Sequence, residues 1–87
     1  MNDLFFVYVI LCDDGSLYKG YTNNIERRYK EHCAGTGSRH TKRHKPVKLV
    51  YFEEFSSEQD AKVRERYLKT STGIKWLKAK LKTLDSE

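Results

Sequence analysis

Eighty-seven residues, 38% of them hydrophobic and 13% aromatic, read as one small domain over residues 1–87 and exclude a disordered chain. A net charge of +5 favours an anionic partner, with nucleic acid first, and no segment approaches the length of a membrane span. The two cysteines, Cys12 and Cys33, and the absence of a basic leader before the short apolar run Phe5 to Leu11 read as free thiols in a reducing cytoplasm.

Leu4 to Leu11 is almost continuously apolar and rich in aromatic and β-branched residues, which predicts a buried strand. Cys12 to Ser16 is turn chemistry around Asp14-Gly15, and Leu17 to Thr22 returns as a second strand. Gly20 lies inside that strand, where glycine marks a close approach of backbone or ligand. Asn23, with Glu26 three residues on, predicts the cap of a helix from about Asn24 to Cys33. Its apolar stripe is Ile25, Tyr29 and Cys33. Arg28 and His32 fall on or beside it, and Arg27 points away. An inward arginine needs an anionic partner.

Ala34 to Pro46 has no periodicity and reads as a mobile loop. Its basic residues Arg39, Lys42, Arg43 and Lys45 can track phosphates or simply face solvent. His40 and His44, with Cys33 upstream, have only loose spacing for zinc and no Cys-x-x-Cys pair. Val47 to Phe55 is a third strand, apolar on both faces and so expected to be covered on both. Ser56-Ser57 opens a second helix running to about Ser71, with Gly73 as its stop. Ala61, Leu68 and Thr72 form its inward stripe, and Glu65 shares that face. A third helix carries Ile74, Leu77, Leu81 and Leu84, and the last residues are expected to fray.

Several short stretches resemble one family. Val7-Tyr8-Val9 and Tyr18-Lys19-Gly20 look like the paired motifs of the GIY-YIG nuclease superfamily. Thr22 to His32 resembles its motif helix, and Ala61 to Lys69 resembles the segment that carries its metal-binding glutamate. The resemblance covers roughly Leu4 to Leu77 and is nearest to small stand-alone members akin to the N-terminal nuclease module of the excinuclease C subunit. It implies an α/β fold of the α+β type: a small three-stranded antiparallel sheet flanked by about three helices. It also implies that Tyr8 and Tyr18 share a face, which requires Tyr8 opposite Gly20 and Ile10 opposite Tyr18. The first motif lacks its glycine, Lys19 replaces an isoleucine, and no asparagine follows Asn24 to match a late one found in some members.

The resemblance assigns catalysis to Tyr8, Tyr18, Arg28 and His32, metal binding to Glu65 and a structural role to Gly20. Phosphodiester hydrolysis needs an activated water and stabilisation of charge on the phosphate. With Glu65 as the one inward acid, a single Mg2+ (or Mn2+) with a mostly water shell is expected. Arg28 matches a phosphate oxygen, unless it pairs with Glu31 or Glu65 instead. A tyrosine can act as base if its pKa, normally ~10, is lowered by the ion and Arg28; Tyr8 is favoured, with Tyr18 positioning water or phosphate. His32 shuttles a proton, binds phosphate or only packs. Glu65 can alternatively pair with Lys69, and Lys19 can contact phosphate or face solvent. The expected activity is metal-dependent endonuclease cleavage, of DNA rather than RNA. The alternatives are a nucleic-acid-binding module with weak or no catalysis, acting with a protein partner in DNA repair, and a protein-interaction domain.

Overall fold

The computed structural model describes residues 3–85. Its sheet has three strands, β1 (Phe5–Cys12), β2 (Leu17–Thr22) and β3 (Pro46–Phe55), in the order β2-β1-β3 and antiparallel throughout. The helices are α1 (Ile25–Cys33), α2 (Arg39–Arg43), α3 (Glu58–Leu68) and α4 (Ser71–Asp85). The architecture is thus the expected α+β fold, with a short fourth helix. The fraying expected of the last residues lies outside the described residues.

β1 is central, and it divides two cores. Val7 and Val9 pack with Ala61, Leu68 and Leu77 of α3 and α4, while Tyr8, Ile10 and Cys12 pack on the other face with Tyr18, Tyr29 and Leu49. Burial on both faces is why its sequence shows no polar alternation. The β1–β2 hairpin closes through Gly15, whose φ of 85° suits glycine. Its register places Tyr8 opposite Gly20 and Ile10 opposite Tyr18, as the resemblance required.

Elsewhere the structure corrects the expectations. β3 is an edge strand, and Val47 and Phe52 are about half exposed, so it is not covered on both faces. Its apolar residues occupy both parities because the ladder shifts between Val9↔Tyr51 and Ile10↔Leu49, leaving Val50 unpaired. Such a bulge turns consecutive residues to one side, and Val50 and Tyr51 both pack on the α3–α4 core. The cap of α1 is Asn24, which accepts from Arg27 N at 3.0 Å; Asn23 accepts instead from the Arg27 guanidinium. His32 is fully buried and Cys33 is exposed. The polar residue takes the inward place because both its ring nitrogens find partners there. Among the described residues, Cys12 and Cys33 are free and no helix is long and apolar enough to cross a membrane.

The stretch read as a loop contains α2. Ser38 caps it by accepting from Thr41 N at 3.1 Å. The helix at Ser56-Ser57 ends at Leu68, and Gly73 lies buried in the first turn of α4 rather than at a stop. A Cβ on Gly73 would collide with the Tyr67 carbonyl, so the glycine serves the close approach of α4 to the end of α3. Thr72 is exposed, as is Leu84. Arg64 ties α3 to the sheet by donating to Glu53 at 2.8 and 3.0 Å while lying over Trp76.

Candidate active site

The site is built where α1 and α2 cover the β1–β2 hairpin. Tyr8 projects from central β1 and its phenol crosses the backbone of Gly20. A Cβ built on Gly20 would stand 2.5 Å from the Tyr8 hydroxyl oxygen. Only glycine leaves that path open, which is the close approach its place in a strand implied. The Tyr8 side chain is almost wholly buried, and its hydroxyl meets His32 Nε2 at 2.8 Å. His32 Nδ1 in turn lies 2.7 Å from Thr41 Oγ1 of α2. Tyr18 lies beside them, its ring centroid 4.9 Å from that of His32 and 6.3 Å from that of Tyr8.

Arg28 enters from α1, one turn before His32. It donates to Glu31 Oε1 at 2.9 Å and to the Gly37 carbonyl at 2.8 Å, and its positive charge is felt at the Tyr8 hydroxyl. Its anionic partner within the chain is therefore Glu31 rather than Glu65. The pair is partly exposed and anchors geometry more than it stabilises the fold. The Arg28 edge opens onto a cleft of about 400 Å³, also lined by Tyr21, Thr22, Arg27 and Glu58. That leaves the guanidinium within reach of a ligand.

The protein's own groups leave the Tyr8 pKa raised. Burial pushes Tyr8 up to about 12, against the lowering effect of Arg28; the charges of Tyr18 and Glu65 add to the rise. Burial, aided by Arg28, pushes His32 down to about 4, so its ring is neutral near pH 7. At Tyr8 desolvation outweighs the opposing cation, whereas at His32 desolvation and the cation act in the same direction. The Arg28 guanidinium holds the Glu31 carboxyl below its usual range.

Glu65 is on α3, the helix whose Ala61 and Leu68 pack on the Val7 and Val9 side of β1. Its carboxylate is mostly buried, pairs with Lys69 at 3.3 Å, and its charge is felt at Tyr8. Lys19 points to that same side, between Leu17 and Tyr21, and donates to the Leu17 carbonyl at 3.2 Å. It is half-buried rather than solvated. Burial lowers its pKa first, and Lys69 and Lys78 lower it further. Arg39, Lys42, Arg43 and Lys45 are exposed on and just after α2.

Thr41, Gly37 and His40 were not singled out for this site from the sequence. A Cβ on Gly37 would run into the His32 ring. His40 packs on Tyr18 and meets Ser16 Oγ at 2.7 Å. The Ser38-to-Thr41 capping spacing was the signal available for α2, though nothing in it points to His32. The zinc set of Cys33, His40 and His44 does not assemble. Among the described residues, the acidic and histidine side chains that do group are Asp13, Asp14 and His44, at the hairpin tip.

Comparison with known proteins agrees with this geometry. The GIY-YIG catalytic domain matches residues 4–79. A UPF0213 protein of Haloquadratum walsbyi is 47% identical over 72 residues, 83% of this chain and 81% of its own. A UPF0213 protein of Clostridium perfringens is 49% identical over 67 residues, 77% and 72% of the two chains. The solution NMR structure of a UPF0213 protein from Bacillus halodurans is 33% identical, with a TM-score of 0.55 over 87% of this chain and 83% of that one. With that match running over most of its length, the chain belongs to the GIY-YIG catalytic domain family, a family of nucleases.

Proposed function

We propose that this protein is a metal-dependent endonuclease that hydrolyses phosphodiester bonds in DNA. The observation that carries the reading is the hydroxyl of Tyr8, held 2.8 Å from a neutral His32, with the positive charge of Arg28 acting on both groups. In a phosphodiesterase that arrangement works as a relay. Tyr8 accepts the proton of the attacking water as its own proton passes to His32 Nε2. Arg28 orients a non-bridging phosphate oxygen and stabilises the charge that develops there. Tyr18, beside both rings, orients the water or the phosphate.

Glu65 is the residue that would hold the cation. A mostly buried carboxylate fits an ion that keeps most of its water shell, as Mg2+ or Mn2+ does, with the half-exposed Lys69 ammonium as the cation it would displace. When bound, such an ion supplies positive charge for the phosphate and the leaving oxygen. The exposed Arg39, Lys42, Arg43 and Lys45 supply binding to the backbone of the substrate, with Lys19 contributing from the other face. The free thiols fit a reducing compartment, and the cytoplasm is the proposed location. DNA repair, with a partner protein selecting the substrate, is the proposed setting.

One observation favours a second reading, a nucleic-acid-binding module with weak or no catalysis. Burial, which pushes Tyr8 up to about 12, keeps the phenol protonated near neutral pH and so scarcely available as a base until something offsets the shift. Cleavage of labelled single-stranded, duplex and branched DNA, with Mg2+ or Mn2+, decides between them. The nuclease reading expects metal-dependent cleavage that Glu65→Ala abolishes. Salt-sensitive binding with no cleavage under either metal would establish the binding module instead.

A further inference from the structure

The hydrogen-bond chain at Tyr8 does not stop at His32. It runs on through Thr41, which is 1% exposed, to Ser38 at the cap of α2. Thr41 is held from both ends. Its amide donates to Ser38 Oγ at 3.1 Å, and its hydroxyl lies 2.8 Å from Ser38 Oγ and 3.4 Å from the Ser38 carbonyl. Just before it in the chain, the Gly37 carbonyl accepts from Arg28. The segment that carries Thr41 is thus pinned by the same arginine that serves Tyr8.

The direction of the protons follows from the donors. The Tyr8 hydroxyl is buried against His32 Nε2, and the Arg28 cation acting on it favours the oxygen lone pairs, not the proton, on its own side. The single proton of that hydroxyl then goes to the near acceptor, His32 Nε2. A neutral imidazole with a bare Nε2 carries its hydrogen on Nδ1, and that N–H needs an acceptor when the ring is buried. Thr41 Oγ1 is that acceptor, and it passes its own proton toward Ser38.

We propose that Thr41 is a positioning residue that locks His32 in the Nδ1–H tautomer, so that Nε2 stands ready to take the Tyr8 proton. The role rests on the nuclease reading for its purpose, though not for its test. It also gives α2 a second task. The helix that presents Arg39, Lys42 and Arg43 to solvent holds the proton acceptor in register from its buried side.

The test is a long-range 1H–15N correlation of the histidine rings at pH 7, with the His32 signals assigned by their loss in His32→Gln. The wild type should show a protonated Nδ1 and a bare Nε2. Thr41→Ser, which keeps the hydroxyl, should show the same pattern. Thr41→Val, which fills the space without an acceptor, should move His32 to the Nε2–H form. A wild type already in the Nε2–H form overturns the proposal, as does a folded Thr41→Val with an unchanged tautomer. If Thr41→Val does not fold, the wild-type and Thr41→Ser spectra still decide. In cleavage assays Thr41→Val should lower kcat ~10-fold or more with KM unchanged, and Thr41→Ser should restore it. The tautomer pattern without any wild-type cleavage would refute the nuclease reading and leave the lock standing.

Discussion

Replacing Gly20 by alanine tests the site through a single methyl group. The new Cβ would stand 2.5 Å from the Tyr8 hydroxyl oxygen, 2.7 Å from Cζ and 3.2 Å from Tyr18 Cε2. Ordinary contact needs about 3.5 Å, so the phenol must move by about 1 Å. Tyr8 is walled in, and such a move stretches its 2.8 Å bond to His32 beyond hydrogen-bond range. Overpacking together with a broken buried bond costs ~2–3 kcal/mol. For a chain of this length that lowers Tm by ~10–20 °C. Gly15→Ala is the control: its Cβ meets nothing within 4 Å, and its cost comes from a φ of +85° alone, about 1 kcal/mol. Thermal and denaturant unfolding of both variants give the comparison, with cleavage measured under conditions where each is folded. A Gly20→Ala variant no less stable than Gly15→Ala, or one that cleaves like the wild type, would show that the methyl group fits without displacing Tyr8.

Two further expectations come from charge. The folded pKa of His32 lies near 4, below its unfolded value of ~6.5, so its buried neutral form contributes stability above pH 6.5 that is lost as pH falls toward 4. Unfolding free energy measured across that window should fall with pH in the wild type, and more shallowly in a folded His32→Gln. The cleavage rate should show an acid limb in the same region as the acceptor ring becomes charged. Replacing Arg39, Lys42 and Arg43 together by glutamine should reduce the slope of log K against log salt for duplex DNA by up to ~2.7, at ~0.9 for each phosphate no longer neutralised. An unchanged slope would remove α2 from the binding surface.

The parts of this molecule that are legible in its sequence are those governed by local periodicity. Residues 5–12 and 17–22 could be paired because Asp14-Gly15 sets the turn and strand period sets the faces, and the Tyr8–Gly20 register followed from the family resemblance. Glu65 was placed inward by helical spacing, and its carboxylate is largely shielded. What stayed hidden depended on partners distant in sequence. A helix wheel favours Cys33 over His32 for burial, because hydropathy does not know that Tyr8 and Thr41 wait for both ring nitrogens. α2 is five residues without an apolar stripe, held by one serine cap, so periodicity had nothing to detect. Gly73 looks like a helix stop in isolation. Its reason is the Tyr67 carbonyl of the preceding helix, a contact that exists only after α3 and α4 meet. The raised pKa of Tyr8 was hidden for a related cause: Arg28 was visible as a neighbour, while the depth of burial was not.

Single-turnover cleavage by Tyr8→Phe is the most direct test of the account. The change removes one hydroxyl and leaves the ring that packs against Tyr18 and His32. With Mg2+ and the DNA form that the wild type cuts best, the rate should fall ~100-fold or more, the scale of a lost general base. DNA affinity and its salt dependence should stay at wild-type values. Cleavage by Tyr8→Phe at the wild-type rate would contradict the central claim, since the Tyr8 hydroxyl would then take no part in moving the proton.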